Sequence, residues 1–379
     1  MAVVLVNARV LADDGLRDDL AVLVDGARIT DVVARDDPRA ASASALDLQG
    51  RYLLPGFIDC QVNGGGDVLF NDAPGVDTIR RIGAAHRRYG TTGFLPTLIS
   101  DSRETMAAAI DAVDAAIAQG VPGVLGIHLE GPYLAPQRKG AHDAAKFHSP
   151  EAADVALAAS LRGGVTLLTL APEQVSDAAL QDLVARGVIV AAGHTAASYD
   201  QLMHAFDLGV RGVTHLFNAM TPLTGREPGA VGAALDHRDS WCGIIADGHH
   251  VHPASLRTAI RAKPRGRIFL VTDAMPPVGG IHGEYTLAGQ RVLLRDGQCV
   301  NEQGALAGSA LDMVSAVRHT VEQLGLPLEE AARMASTWPA EFLGLGSSHG
   351  RIAAGYAADF VVIDEAWTVH ETWIAGRRD

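Results

Sequence analysis

Four apolar runs in this chain each end in a residue that can bind a metal or carry a proton. They read Val124-Leu-Gly-Ile-His-Leu-Glu130, Val188-Ile-Val-Ala-Ala-Gly-His194, Val213-Thr-His215 and Ile268-Phe-Leu-Val-Thr-Asp273. One carboxylate and two imidazoles suit a divalent ion that keeps an open position, which makes Glu130, His194 and His215 candidate ligands. Such an ion lowers the pKa of water from ~15.7 to ~7 and so supplies a nucleophile at neutral pH. Asp273 beside it would take the water's proton as general base and return it, as general acid, to a departing amine. No pair of the four has the spacing of a local helical metal motif, so the fold must assemble them. Each residue alone has a plainer reading: a solvated turn for Glu130, a satisfied core histidine for His194, a turn cap for Asp273. Their joint position at strand ends, in one order, favours chemistry. His128 shares a strand face with Glu130, and packing is its expected role.

The elements that must position these residues follow from periodicity. After Pro55-Gly56-Phe57-Ile58-Asp59, apolar runs alternate with amphipathic helical patterns to about residue 340. Arg103–Gln119 places Met106, Ile110, Val113 and Ile117 at helical intervals, with Gly120 as a stop and Asp101 with Glu104 as a capping pair. Val165–Leu170 and Val188–Ala192 read as strands, Asp177–Arg186 and Tyr199–Leu208 as helices. Strand repeats of roughly 20 to 30 residues over this length predict an α/β fold, a (β/α)8 TIM-like barrel. The ends differ. Val3–Asn7, Leu20–Val24, Arg28–Val33, Ala45–Leu48 and Arg51–Leu54 read as short strands, as do Phe360–Ile363 and Thr368–Trp373, and Leu287–Val300 reads as a hairpin turning at Asp296-Gly297. The expected organisation is a barrel over residues 54–344 and one small discontinuous β-sandwich domain from residues 1–53 and 345–379.

Composition bounds the partners. The 379 residues are 48% hydrophobic and 20% charged, ordinary for a soluble enzyme with a sizeable core. A net charge of −13 argues against nucleic acid and anionic membranes, which need a basic footprint. No run approaches the ~18 apolar residues of a membrane span. Cys60, Cys242 and Cys299 stand far apart and odd in number, so a reducing cytoplasm is the expected compartment.

Pro55-Gly-Phe-Ile-Asp-Cys-Gln-Val-Asn-Gly64, His128-Leu-Glu-Gly-Pro132, Gly193-His194-Thr195 and Thr214-His215-Leu-Phe-Asn-Ala-Met220 together resemble the N-acetylglucosamine-6-phosphate deacetylases. So do Gly225-Arg-Glu-Pro-Gly229, Ala246-Asp-Gly-His-His-Val251, Val271-Thr-Asp-Ala274 and Leu306-Ala-Gly-Ser309, while Gly355-Tyr-Ala-Ala-Asp359 resembles the wider amidohydrolase superfamily. The resemblance implies hydrolysis of the acetamide of N-acetylglucosamine 6-phosphate to glucosamine 6-phosphate and acetate. It implies Glu130, His194 and His215 as metal ligands, Asp273 as catalytic carboxylate, and a homodimer. It also implies substrate contacts at Ala141, Asn218, Ala219, Arg226, His250 and the loop Leu306-Ala307-Gly308; His142 and Asp247, beside these in sequence, are expected substrate contacts as well. Many superfamily members carry His-x-His after the first barrel strand and build a second metal site with it. Gln61 and Asn63 stand there instead, and carboxamides are poor zinc ligands, so one divalent ion per subunit is expected: Zn2+ first, with Fe2+, Co2+ or Mn2+ as alternatives.

For a sugar phosphate, Arg226 between two glycines is the expected cation, its guanidinium forking onto phosphate oxygens. The metal, with His142 or His250, would stabilise the oxyanion. Two other readings stand beside this one. Another amidohydrolase acting on a cyclic amide or N-acyl substrate is the nearer, against which Gln61 and Asn63 speak. The other is a metal-poor, non-catalytic scaffold, against which the presence of Asp273 speaks.

Overall fold

The computed structural model describes residues 3–41 and 44–378; residues 1–2, 42–43 and 379 of the expected terminal β segments lie outside the described residues. Eight parallel strands form the centre: β1 Phe57–Val62, β2 Thr91–Ile99, β3 Gly126–Glu130, β4 Val165–Leu170, β5 Ile189–Ala192, β6 Gly212–Val213, β7 Trp241–Ile244 and β8 Ile268–Leu270. Each pairs with the next in chain order. Helices fill the crossovers, among them α1 Val76–Arg87, α2 Arg103–Ala118, α3 Ala152–Ala158, α4 Asp177–Ala185, α5 Tyr199–Asp207, α6 Gly229–Asp236, α7 Pro253–Ala262 and α8 Met313–Glu322. This is the expected (β/α)8 barrel. β1 and β8 form no ladder with each other. The seam between them is closed by the Val62–Ala274 bridge and by Asp273 N–H donating to the Gln61 carbonyl at 3.0 Å.

Local chemistry explains the elements. β2 and β3 are buried along their whole length because helices cover the outside and side chains fill the inside. α2 turns Met106, Ile110 and Val113 onto the sheet. Its cap is Ser102, whose hydroxyl accepts from Thr105 N–H, and not the expected Asp101–Glu104 pair. Asp101 instead accepts from Ser102 N–H and from Lys146.

The chain ends meet as anticipated. Phe360–Ile363 runs antiparallel to Tyr52–Pro55 within a six-stranded sheet that also holds Arg9–Ala12, Gly15–Arg17, Val369–Ile374 and Arg377–Arg378. A four-stranded sheet of Arg28–Ala34, Leu20–Asp25, Val3–Val6 and Ala45–Asp47 packs against it through Leu5, Val22, Ile29, Leu53, Phe360 and Trp373. A third sheet, Glu284–Leu287, Gln290–Arg295, Gln298–Asn301 and Leu306–Ser309, follows β8. Its middle hairpin turns at Asp296-Gly297, both with positive φ, as the sequence predicts. The three cysteines are free and buried.

Candidate active site

The four expected residues converge at the carboxyl ends of the barrel strands. Glu130 is the last residue of β3, His194 follows β5 by two residues, His215 follows β6, and Asp273 follows β8. Strands this short release the chain early, and the backbone must then turn sharply. His194, His215 and Asp273 accordingly hold φ of 48°, 34° and 54°. Left-handed backbone at residues with side chains costs on the order of 1–3 kcal/mol each and gathers where function needs it.

His215 Nε2 lies 3.0 Å from Glu130 Oε1 and 3.1 Å from His194 Nε2, and His194 Nε2 lies 3.3 Å from the same carboxylate oxygen. Ligand atoms on a tetrahedral ion with bonds of about 2.0–2.1 Å stand about 3.3 Å apart. The three donor atoms therefore have the separations and the chemistry of a divalent metal site, and among the described residues no other cluster of three such groups occurs. The tautomer agrees: His194 Nδ1–H donates to the Arg138 carbonyl at 2.8 Å, which leaves Nε2 as the free lone pair. His215 Nδ1 is buried with no partner among the described residues. Burial pushes the Glu130 carboxyl up, and the imidazoles of His142, His194 and His215 more than offset it, holding the group well below the carboxylate range.

Two further imidazoles face the same space. His142 Nδ1 accepts from Ser100 N–H at 3.3 Å and touches Ser100 Oγ at 2.8 Å. Nε2 therefore carries the proton and points inward, 3.6 Å from Glu130 Oε2. Burial pushes the His142 imidazole down to about 4, so it is a neutral donor at pH 7. His250 Nδ1–H donates to Asp247 Oδ2 at 2.6 Å, while Asp247 Oδ1 accepts from the N–H groups of His249 and His250. Burial, then the charge of Glu130, raises Asp273 to about 6.

A cavity of about 190 Å³ opens here, lined by Glu130, Ala141, His142, His194, His215, Asn218, Ala219, His250, Asp273, Leu306 and Gly308. Three expected residues stand elsewhere. Ala307 is buried in the covering sheet, because Leu306–Ser309 is a strand and not the anticipated loop, and strand alternation turns its side chain away. Asp247 lies behind His250. Arg226 is exposed at the surface and does not line the cavity of its own chain. Gln61 and Asn63 do reach the site, with their amide nitrogens on Asp273 Oδ1 at 3.0 and 2.7 Å. His128 is packed between Thr97 and Thr169, a core residue as expected.

Residues 52–378 match the amidohydrolase family. The chain belongs to that family. Among its relatives, this amidohydrolase is 46% identical to the N-acetylgalactosamine-6-phosphate deacetylase of Shewanella sp. (strain ANA-3), over 86% of this chain and 82% of that protein. It is 38% identical to the human N-acetylglucosamine-6-phosphate deacetylase, over 98% and 93%. The crystal structure of N-acetylglucosamine-6-phosphate deacetylase from Pasteurella multocida superposes with a TM-score of 0.96 at 33% identity, covering both chains completely. The family is metal-dependent, in keeping with the His/Glu cluster. Among the described residues no helix is long and apolar enough to cross a membrane.

Ser100, which sets the His142 tautomer, and the apolar wall of Ile99, Ile245, Met275 and Leu287 were not among the expected residues. Ile99 and Ser100 stand at the end of a strand, the same signal that picked out Glu130. The rest carry only the hydrophobicity that any core residue has.

Proposed function

We propose that this amidohydrolase removes the acetyl group of N-acetylglucosamine 6-phosphate, giving glucosamine 6-phosphate and acetate. The observation that carries this reading is the convergence of Glu130, His194, His215 and Asp273 on one cavity in a chain whose full-length relatives are hexosamine-phosphate deacetylases. Glu130, His194 and His215 would hold one divalent ion per subunit, and we assign zinc. When bound, that ion supplies Lewis acidity to water and to the acetyl carbonyl.

The chain's own groups do the rest. His142 Nε2–H donates to the carbonyl oxygen as negative charge develops there. Asp273 Oδ1 is held by two amides, which leaves Oδ2 to take the proton of the attacking water. The same carboxyl then passes that proton to the amine nitrogen as the C–N bond breaks. Ile99, Ile245, Met275 and Leu287 exclude bulk water and strengthen each polar contact.

Among the described residues no lysine or arginine lines the cavity, yet the phosphate needs a cation. We assign Arg226 of a second copy to that role, beside His250 and Asn218, which makes the enzyme a homodimer. We assign it to the cytoplasm, the compartment that a phosphorylated sugar as substrate favours. The C4 epimer, N-acetylgalactosamine 6-phosphate, is a second reading, favoured by the 46% identity to the Shewanella enzyme. Acetate release from both phosphates and from unphosphorylated N-acetylglucosamine tests all of this. Turnover of the glucosamine phosphate well above the other two is expected. Faster turnover of the galactosamine phosphate selects the second reading, and release from the unphosphorylated sugar at an equal rate removes Arg226 from the account.

A further inference from the structure

Asp59, Gln61 and Asn63 alternate along β1 and its extension, so their side chains share the inner face, and all three are buried. Asp59 Oδ2 accepts from Thr272 Oγ1 at 2.5 Å and Oδ1 accepts from Thr272 N–H at 3.2 Å. One residue further on, Asp273 N–H donates to the Gln61 carbonyl, and Asn63 N–H to the Ala274 carbonyl at 2.9 Å. Ser309 Oγ donates to the Thr272 carbonyl from the other side. These bonds clamp the backbone on both sides of a residue held at a φ of 54°.

The side chains complete the clamp. Gln61 Nε2 donates to Glu130 Oε1 at 2.9 Å and to Asp273 Oδ1 at 3.0 Å, and Asn63 Nδ2 donates to Asp273 Oδ1 at 2.7 Å. The amide orientations are forced, because turning either over would set its oxygen against a carboxylate. The consequence is visible. Gln61 Oε1 and Asn63 Oδ1 are both buried with no partner among the described residues. Leaving a buried acceptor unpaired is destabilising, so amides that merely filled space would be poor choices here. What offsets that cost is N–H dipoles placed between two carboxylates, Glu130 and Asp273.

We propose that Asp59, Gln61 and Asn63 are positioning residues that do by hydrogen bonding what a second cation would do, fixing Asp273 Oδ1 so that Oδ2 alone faces the reacting atoms. None of them touches substrate. Asp59 holds the Thr272–Asp273 backbone, and the two amides hold the carboxylate. The inference rests on the deacetylase reading for its kinetic consequence and on geometry alone for its metal consequence.

Asn63→Leu removes one amide without touching a metal ligand. It is expected to lower kcat roughly tenfold or more, since it disturbs a proton-transfer group, with KM within about threefold of wild type, one metal per subunit retained and the melting temperature unchanged. An unchanged kcat, or a loss of kcat in step with a loss of metal, overturns the proposal. Should Asn63→Leu fail to fold, the isosteric Asn63→Asp sets a like charge on Asp273 and must lose at least as much kcat; wild-type turnover in it is equally contrary. Metal counting separates this inference from the deacetylase reading. The double variant Gln61→His/Asn63→His puts two imidazoles between two carboxylates and should bind a second zinc equivalent. A double variant that still binds one overturns the cation-like role, whatever the substrate proves to be.

Discussion

In the proposed reaction Asp273 accepts a proton and soon gives it back, which asks for a pKa near the working pH. Burial and the charge of Glu130 move it upward to about 6, and a cation on the ligand triad pulls it back down. The working form is the carboxylate, so kcat/KM should rise with pH through an acid limb at or below about 6; a limb above 7 would contradict the assignment. His142 is the complementary case. Its imidazole, pushed down to about 4, stays neutral through that range and adds no limb of its own. His142→Ala should lower kcat by roughly 10²–10³, as the loss of one oxyanion donor does, and a drop below threefold in steady-state assays would remove it from the mechanism. The candidate ligands were legible because metal-capable residues at the ends of apolar runs are a rare pattern. The donation from Gln61 and Asn63 to Asp273 was not, since a carboxamide in a sequence shows neither its orientation nor its partner.

Elements carry their own chemistry. α1 buries His86, whose Nε2–H donates to the Gly64 carbonyl at 2.9 Å and so braces the turn that follows Asn63. Burial pushes that imidazole down to about 4, against about 6.5 in an unfolded chain. The unfolded state takes up the proton first, so this stability is full above pH 6.5 and is lost as pH falls towards 4. The linkage amounts to about 3 kcal/mol. Urea titrations at pH 7.5 and 4.5 should show His86→Leu losing less stability on acidification than wild type, by that order; parallel losses would contradict it. The helices and central strands were readable because their periods are long and regular. Arg9–Ala12 and Gly15–Arg17 were not, being pieces of four and three residues, too short to show a period, and the first is held in the sheet by Tyr52–Leu53, some forty residues on. The covering sheet showed only its central hairpin, and Leu306–Ser309 passed for a loop because Gly308 obscures a four-residue strand.

At the scale of the whole molecule, the fold brings together groups spread from residue 61 to residue 308, while Arg226, the cation proposed for the phosphate, stands outside the cavity. Arg226→Ala should therefore lower kcat/KM for the phosphorylated sugar by roughly ten- to a hundredfold, the worth of charge-assisted hydrogen bonds, and leave the unphosphorylated sugar unaffected. Equal losses on both substrates would mean a structural role for the loop. Strand order and the meeting of the two chain ends followed from the alternation of elements, whereas the surface position of Arg226, away from the cavity of its own chain, leaves no local mark in sequence. The central claim is that Glu130, His194 and His215 hold the metal while Asp273 moves the proton. Its most direct test is acetate release from N-acetylglucosamine 6-phosphate by zinc-loaded wild type and Asp273→Asn, with bound metal counted in both. Equal metal and a fall in kcat of roughly 10² or more in the variant are expected; no acetate from wild type, or undiminished turnover in Asp273→Asn, would overturn the assignment.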